Sequence, residues 1–370
     1  MAKNIEAIPF TELVERVVQI ARVDSDNDRS RARGAVQDVY VRKVPQEEDW
    51  SFWLVSSAVT CDPEYKTGTV TVTTQAATCT FDGGASLSAG MTGRKIKFND
   101  NNDVYTLTFS NTTAGTITPP LSGDVSISGG AFSIFQPTYA LASDFDRFPK
   151  NGGLQLFQGG RPTIIPEAGF QNFKAEYTPS PGTPARCRLV SFGTTGVPHA
   201  ELNPPPLKAI NLPYDYLRRP VALRETSAGT CTVSANGTTV TFHAGARLAE
   251  ASTGWYLRIN AFGTGADSEW YRVLGLASAT STATLQLAFG VSGATSAGYV
   301  LAAAPDMPEK LHIAVQHGAV TLVTADQNDE LYQLYEAKYR ETINEGKRTY
   351  KTRIYGQEVD MIFTDFNYRR

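Results

Sequence analysis

The sequence GTVTVTTQAATCTF at residues 68–81 has a counterpart, GTCTVSANGTTVTF, at residues 229–242. The same interval separates Gly68 from Gly229, Thr80-Phe81 from Thr241-Phe242, and Gly93 from Gly254. Alternating Thr, Val and aromatic residues, interrupted by Gly, Asn and Ser, are typical of a small antiparallel sandwich or barrel. The sequence therefore predicts two copies of one β module, at residues 60–143 and 225–304.

The match between the two copies extends beyond their first strands. After a short insertion, Tyr105-Thr106-Leu107 corresponds to Tyr271-Arg272-Val273, and Phe132-Ser133-Ile134 corresponds to Tyr299-Val300-Leu301. Asp144 and Asp306 then follow at corresponding places. A repeat of this length indicates one supersecondary unit that is used twice.

Both ends of the chain differ from this β-rich middle, because apolar residues recur there at helical spacing. Near the N-terminus we predict one helix after Pro9, with Phe10, Leu13, Val14, Val17, Val18 and Ala21 on its apolar face, and a second from about Asp28 to Lys43. Near the C-terminus we predict a largely buried helix after Pro308, which carries Leu311, Ile313, Ala314, Val315, Ala319, Val320, Leu322 and Val323. A longer helix follows, with an apolar face of Leu331, Leu334, Tyr335, Tyr339 and Ile343.

The predicted fold class is α+β: a helical bundle formed by the N- and C-terminal helices, with large all-β, sandwich- or barrel-like insertions. Residues 1–50 and 305–347 would form the helical core. Residues 147–222, between the β modules, are rich in Pro and Gly and predict a central β region, with strands at Phe173–Tyr177, Arg186–Phe192 and Ala200–Asn203. Residues 348–370 are predicted to be an extended C-terminal tail.

Composition restricts the possible functions. The chain has 370 residues, and 41% of them are hydrophobic, which is enough for sizeable cores. With 34 Lys and Arg against 37 Asp and Glu, the net charge of −3 excludes the broad positive field that sequence-independent DNA binding requires. We find no secretory signal pattern and no apolar stretch long enough to span a membrane, and we expect a soluble protein made in the cytoplasm.

The four cysteines, Cys61, Cys79, Cys187 and Cys231, lack CxxC spacing, which argues against a zinc knuckle or a dithiol redox pair. Buried thiols are the favoured interpretation. A bridge between Cys61 and Cys79 in an extracellular particle is the less favoured one.

Sequence motifs of catalysis are missing: the chain has no GxSxG elbow, Walker loop, HExxH pair or Rossmann fingerprint. The acidic runs at 47–49 and 326–330 could suggest glycosidase carboxylates, but the second opens a helix, where acids complement the dipole. Trp50 and Trp53 beside the first run could form a sugar platform, although we favour an anchoring role. Asn99–Asp103 offers oxygen ligands but lacks the Gly and Glu of a calcium loop. We expect no catalytic residue, no metal site and no cofactor.

The C-terminal tail is the candidate interaction site. Arg, Tyr and Phe are enriched where protein partners bury them, and the end of this chain has many: Tyr350, Arg353, Tyr355, Phe363, Phe366, Tyr368, Arg369 and Arg370. From the residues alone, binding to a partner and folding back on the same domain carry nearly equal weight.

These segments together resemble a family of head-to-tail adaptor, or connector, proteins of tailed bacteriophages. The resemblance rests on FTELVERV at 10–17, DWSFWLV at 49–55, the paired modules that begin GTVTVT and GTCTVS, LPYDYLRRP at 212–220, and LYQLYEAKYRETI at 331–343. It covers nearly the whole chain, as a pattern of helices and insertions rather than a chemical signature. The large insertions depart from the smaller adaptors of the family.

The resemblance implies a non-enzymatic structural virion protein at the head-to-tail interface, assembled in the host cytoplasm. Twelve copies would form a ring that binds the portal protein through the eight tail residues above and binds a downstream tail protein. DNA would pass through the lumen of this ring without specific binding, and no membrane is involved.

Two other functions remain open from the sequence. A collar, spike or fibre protein would use the β modules to bind a host surface glycan. A capsule-degrading hydrolase ranks last, because no pair of acids is placed convincingly for it.

Overall fold

The computed structural model describes residues 7–351, apart from 24, 100, 102, 124, 151, 155–162, 165–179, 193–196, 244–252, 261–268, 278–280, 290–292 and 327. The predicted strand at Phe173–Tyr177 lies outside the described residues. The α-helices of the described part are α1 (Phe10–Ala21), α2 (Asp26–Asp38), α3 (Val44–Glu47), α4 (Glu309–Thr324) and α5 (Asp329–Tyr350).

Helix α1 begins where the sequence predicts it. Pro9, with extended backbone, precedes its first turn, and Arg22 ends it in the left-handed conformation. The predicted apolar face is buried at Phe10, Leu13, Val14, Val17 and Val18. The spacing of apolar residues was therefore sufficient to locate this helix and its buried side.

Helix α2 begins two residues before its predicted start. Ser25 caps it: the Asp28 amide donates to Ser25 Oγ at 3.1 Å, and the Asp28 carboxylate accepts from the Ser25 amide at 3.4 Å. This reciprocal pair satisfies two amides that have no partner inside the helix. A π-helical segment, Val39–Lys43, then joins α2 to α3. Pro45 lies just after it and has no amide hydrogen to continue the regular ladder.

The two C-terminal helices differ in burial. Helix α4 is largely buried, but Ile313 and Leu322, which the sequence placed in its buried set, are exposed. In α5 only Tyr339 and Ile343 of the predicted apolar face are fully buried, and Leu334 is exposed. Helical spacing identifies one side of a helix, whereas the neighbouring elements decide how far along the helix that side is covered.

Helix α4 packs against α1, α2 and α5, and α1 also packs against α2. Gly318 in α4 permits the closest approach, since a Cβ there would lie 2.8 Å from Val39 Cγ1 and 3.1 Å from Tyr339 Cδ2. Elements from both ends of the sequence therefore meet at one residue of α4.

The strands in chain order are β1 (Leu54–Cys61), β2 (Thr69–Val72), β3 (Thr78–Asp82), β4 (Lys95–Phe98), β5 (Val104–Asn111), β6 (Ala114–Thr118), β7 (Ile127–Gly130), β8 (Phe132–Phe135), β9 (Thr138–Ala140), β10 (Phe145–Arg147), β11 (Thr163–Ile164), β12 (Arg186–Phe192), β13 (Val197–Asn203), β14 (Ile210–Arg218), β15 (Glu225–Thr226), β16 (Cys231–Val233), β17 (Thr239–Phe242), β18 (Tyr256–Asn260), β19 (Tyr271–Ala277), β20 (Thr282–Leu285) and β21 (Ala294–Ala302).

The two sequence repeats have the same strand order. In the second, β21-β16-β17-β20-β19-β18 closes into a six-stranded barrel, because β21 pairs with both β16 and β18. In the first, the order is β7-β2-β3-β6-β5-β4-β8. Only Ala131 separates β7 from β8, so this segment takes the place of β21, with β2 on one side and β4 on the other.

The register of the two repeats also agrees between corresponding strands at the closing pair of each repeat. Ile96 pairs with Ile134 in the first repeat, and the corresponding Leu257 pairs with Leu301 in the second. The core contacts follow, since the rings of Phe81 and Phe132 meet edge to face at 5.1 Å and those of Phe242 and Tyr299 do so at 4.9 Å. Gly68, Gly93, Gly229 and Gly254 all have a positive φ near 90°, the left-handed region that favours glycine.

Two smaller sheets accompany the first repeat. One has the order β1-β14-β10, in which β1 pairs antiparallel with β14 from Leu54↔Leu217 to Cys61↔Ile210. The other has the order β11-β12-β13-β9. Both sheets contribute to one core, which includes Val59, Tyr139, Phe145, Leu202 and Tyr214.

By its internal contacts the chain divides into two compact units, Met1–Trp53 with Arg219–Arg370, and Leu54–Arg218. We call them the terminal unit and the inserted unit. The architecture is mixed α and β, with helices near both ends and β insertions between them, in agreement with the predicted α+β class.

Candidate functional site

Of the predicted tail residues, Tyr350 alone is described, at the end of α5. Its ring meets the Phe52 ring edge to face at 6.0 Å. The next residue, Lys351, forms an antiparallel bridge with Trp50, and its Nζ lies 3.4 Å from Glu48 Oε2. Arg353, Tyr355, Phe363, Phe366, Tyr368, Arg369 and Arg370 lie outside the described residues. The start of the tail is therefore held against the segment Glu47–Trp53, which we call the junction segment.

Glu47 of the junction segment binds α5. Glu47 accepts a hydrogen bond from Lys347 Nζ at 3.0 Å and another from the Tyr339 hydroxyl at 3.3 Å. Burial, reinforced by the nearby Glu47 carboxylate, raises the pKa of Tyr339, so this hydroxyl remains a donor at neutral pH. The Glu47 carboxylate thus joins the junction segment to the C-terminal helix α5.

The tryptophans of the junction segment are both buried. Trp50 Nε1 donates to the Val44 carbonyl at 2.8 Å, and Trp53 Nε1 donates to the Asp306 carbonyl at 2.9 Å. The Asp306 amide in turn donates to the Tyr40 hydroxyl at 3.0 Å. Since both indole rings are enclosed, they act as anchors within the terminal unit, and no face of either is open as a sugar platform.

A second group of contacts joins the π-helical segment to α5. Lys43 Nζ lies 3.2 Å from Glu336 Oε2 and 4.0 Å from the centre of the Tyr339 ring. Partial burial alone would raise the pKa of Glu336, but hydrogen bonds and charge from Arg340 and Lys43 lower it below its usual value. Glu336 therefore remains ionised and paired at neutral pH.

His312 connects the N-terminal segment to α4. Its Nδ1 accepts from the Ile8 amide at 2.9 Å, and its Nε2 is 3.0 Å from the Met307 carbonyl. The side chain is fully buried, and this burial lowers the pKa of His312 to about 4. Hydrogen bonds to backbone carbonyls act in the opposite direction and raise the pKa, but by less than burial lowers it. The imidazole is neutral at pH 7 and has a structural role, for which no sequence pattern gave a signal.

Apolar residues are exposed at isolated positions on α4 and α5. Tyr332 and Leu334 are exposed near its first turns, and Leu322 is exposed near the end of α4. The acids Asp329 and Glu330 accompany them in the first turn of α5. Exposed aromatic and aliphatic residues on a helix are the type that protein partners cover.

The cysteines are buried and free in this structure, including Cys61 and Cys79. Burial raises the pKa of Cys187 to about 11 and the pKa values of Cys61, Cys79 and Cys231 to about 12. At neutral pH these thiols are protonated and poor nucleophiles or metal ligands. Among the residues that the structure describes, no group of three or more His, Cys, Asp or Glu side chains could hold a metal ion.

Asp103, in the stretch weighed as a calcium loop, accepts a hydrogen bond from Ser122, and Asn101 Nδ2 donates to the Tyr105 hydroxyl at 2.8 Å. These contacts are those of a turn between strands; Asp100 and Asn102 lie outside the described residues. No described helix is long and apolar enough to span a membrane. No protein-family model matches the chain, and no curated protein matches it significantly.

Proposed function

We propose that this protein is a ring-forming head-to-tail adaptor of a tailed bacteriophage. In this proposal α1, α2, α4 and α5 form a helical bundle, and the β modules are insertions that contact neighbouring proteins. Twelve copies enclose a lumen through which DNA passes from the portal to the tail.

The observation that carries the proposal is the packing of α4 against helices from both ends of the sequence. An adaptor of this kind needs one compact helical domain that makes the contacts between copies in the ring. Large insertions can then be accommodated without disturbing those contacts. The junction segment supports the same arrangement, because Glu47 and Trp50 fasten the N-terminal part of the terminal unit to α5 and Lys351. Helices in separate, non-contacting domains would have removed the basis of this proposal.

A closed ring needs identical interfaces between copies and a tail that reaches a partner. Leu322, Tyr332 and Leu334 are exposed apolar residues of α4 and α5, and in this proposal the interfaces between copies bury them. The tail residues after Lys351 would supply the Arg and aromatic contacts to the portal. The net charge of −3 suits a lumen that lets DNA slide instead of holding it.

The test uses two variants of the full chain. A truncation after Lys351 keeps every described contact of α5, so we expect it to remain folded and to form rings but to lose co-sedimentation with the purified portal. The double variant Tyr332→Ser, Leu334→Ser should remain a folded monomer by light scattering, with a matched control at the exposed Val125, which lies in the inserted unit. Negative-stain images without rotational symmetry for the wild-type protein would contradict the adaptor proposal and favour the surface-glycan alternative.

A further inference from the structure

A cleft of about 580 Å³ lies within the terminal unit, where residues of the second β module meet residues from outside it. The apolar part of its lining includes Val221, Ala222, Trp255, Ala304 and Pro305. Val221 is 78% exposed. Because it belongs to a lining that is apolar over several residues, its exposure marks a surface that another segment can cover.

Two arginines and one acid carry the charge of the described lining: Arg224, Arg272 and Asp306. Both arginines are exposed, and within the part of the chain that the structure describes neither guanidinium has an ion-pair or hydrogen-bond partner. Asp306 offsets one of the two positive charges, which leaves one in excess. The cleft therefore combines an apolar lining with cations that are available to an acidic segment.

The sequence repeat shows that Arg272 is particular to the second module. Tyr256 and Arg272 are partners across β18 and β19, and they correspond to Lys95 and Thr106 across β4 and β5. In the first module the Lys95 ammonium donates to the Thr106 hydroxyl at 2.8 Å, so the cation is bound within the module. In the second module the cation lies on the other strand, and no side chain of the module pairs with it.

The start of the C-terminal tail lies near this cleft, as a path of ring contacts shows. The Tyr350 ring meets the Phe52 ring at 6.0 Å, and the Phe52 ring meets that of Trp53 at 4.8 Å. The Trp53 ring in turn meets that of Tyr40 at 6.2 Å, and Tyr40 lines the cleft. Six extended residues span about 20 Å, which exceeds this path even if it were straight. Counted from Lys351, the tail can therefore reach the cleft from residue 357 onward.

The part of the tail that can reach the cleft also complements it. Residues 357–366, QEVDMIFTDF, contain three acids and no Lys or Arg, and their apolar side chains are Val359, Met361, Ile362, Phe363 and Phe366. The residues before Ala7, which also lines the cleft, offer no such match, because they contain one base, Lys3, and one acid, Glu6. Complementary charge therefore favours the tail as the occupant.

We propose that residues 357–366 dock into this cleft of the same chain in the free protein. Glu358 and Asp360 pair with Arg224 and Arg272, and the apolar side chains of the segment cover the apolar lining. A partner that binds the tail must then first displace it from the cleft. The proposal goes beyond the adaptor function and does not rest on it, because it concerns a single chain, so either can fail without the other.

Limited chymotrypsin digestion of the full chain tests the docking, with the mass of the shortened chain as the readout. Cleavage after Phe363 requires the tail to leave the cleft, so its rate follows the undocked fraction when docking is fast. We expect cleavage there to be at least about fivefold slower than in a synthetic peptide of residues 352–370. The double variant Arg224→Glu, Arg272→Glu should lose this protection. Wild-type cleavage as fast as that of the peptide, or unchanged protection in the folded double variant, would overturn the proposal.

Charge exchange separates docking from misfolding. The variant Glu358→Lys, Asp360→Lys alters the tail alone, so it should also lose the protection and serves if the arginine variant fails to fold. Combining all four substitutions should restore slow cleavage, and a combined variant cleaved as fast as its two parents would contradict the pairing.

The double variant Arg22→Glu, Arg348→Glu is the matched control, because it reverses two exposed cations of the same unit that do not line the cleft. It should be cleaved as slowly as the wild type, and loss of protection there would show that net charge, and not the cleft, holds the tail. The wild-type protection should not change on dilution. Protection that disappears on dilution would assign the docked tail to a second copy and overturn docking within one chain.

Discussion

Gly318 provides the sharpest test of how the helices pack. Alanine is favoured over glycine by about 1 kcal/mol inside a helix, so Gly318→Ala would stabilise an isolated α4. In this structure the added Cβ would lie 2.8 Å from Val39 Cγ1 and 3.1 and 3.2 Å from two carbons of the Tyr339 ring. Val39 and Tyr339 are buried and cannot move aside without disturbing their own neighbours.

Overpacking of this kind costs about 1–3 kcal/mol, which exceeds the gain in helix propensity. We therefore expect Gly318→Ala to lower the free energy of unfolding of the terminal unit by about 1 kcal/mol. Gly34 in α2 is the matched control, because nothing lies within 4 Å of a Cβ at that position. Gly34→Ala should raise the same free energy by up to about 1 kcal/mol.

Tryptophan fluorescence in urea is a suitable assay for this pair. All four tryptophans, Trp50, Trp53, Trp255 and Trp270, belong to the terminal unit, so the signal reports that unit alone. The two variants should shift the unfolding midpoint in opposite directions with an unchanged slope. Equal stabilisation by both substitutions would refute the close approach of α4 to Val39 and Tyr339.

Two further predictions concern titratable groups. The pKa of His312 is about 4 in the folded protein against 6.5 for an ordinary histidine, so the unfolded state binds more protons and stability falls as the pH drops from 6.5 towards 4; the full loss is about 3 kcal/mol. His312→Gln should flatten this slope in urea titrations at several pH values, and an unchanged slope would exclude His312 as its source. The raised pKa values of the four buried thiols predict that the native protein reacts slowly with a disulfide reagent at pH 8, whereas the urea-unfolded protein reacts at all four. Fast modification of the native protein would show that a thiol is accessible.

The sequence was most informative where one physical signal dominates. The apolar spacing of α1 located both its start and its buried face, and the repeat located two modules whose strands share one order and register. Apolar spacing is a local signal, and a repeat can be recognised by comparing the sequence with itself. Neither requires knowledge of which helices or strands will pack against each other.

Long-range pairing was not predictable in the same way. LPYDYLRRP at 212–220 contributes most of β14, yet nothing in its pattern indicates that it pairs with β1, which is distant in the sequence. Pro213 also argues against a strand with two neighbours. It is tolerated because β10 pairs with β14 only at Leu217 and Arg218, which leaves Pro213 with a single neighbour, β1.

The composition of the tail predicts a portal-binding role for Tyr350, and the described contacts do not test it; they show only that the Tyr350 ring meets Phe52 of the same unit. The exposed positions on α4 and α5 were missed, because spacing alone cannot show where covering elements end.

Strands β1 and β14 are antiparallel partners, with Leu54 opposite Leu217 at one end of the ladder. Leu54, the first residue of the inserted unit, and Leu217, the last but one, are thus neighbours in space, about 5 Å apart at their Cα atoms. A segment whose two ends meet in this way can be removed and bridged by a few residues, or transplanted into another host protein. Exchange of this segment as a whole would therefore replace the inserted unit without redesign of the helices in the terminal unit.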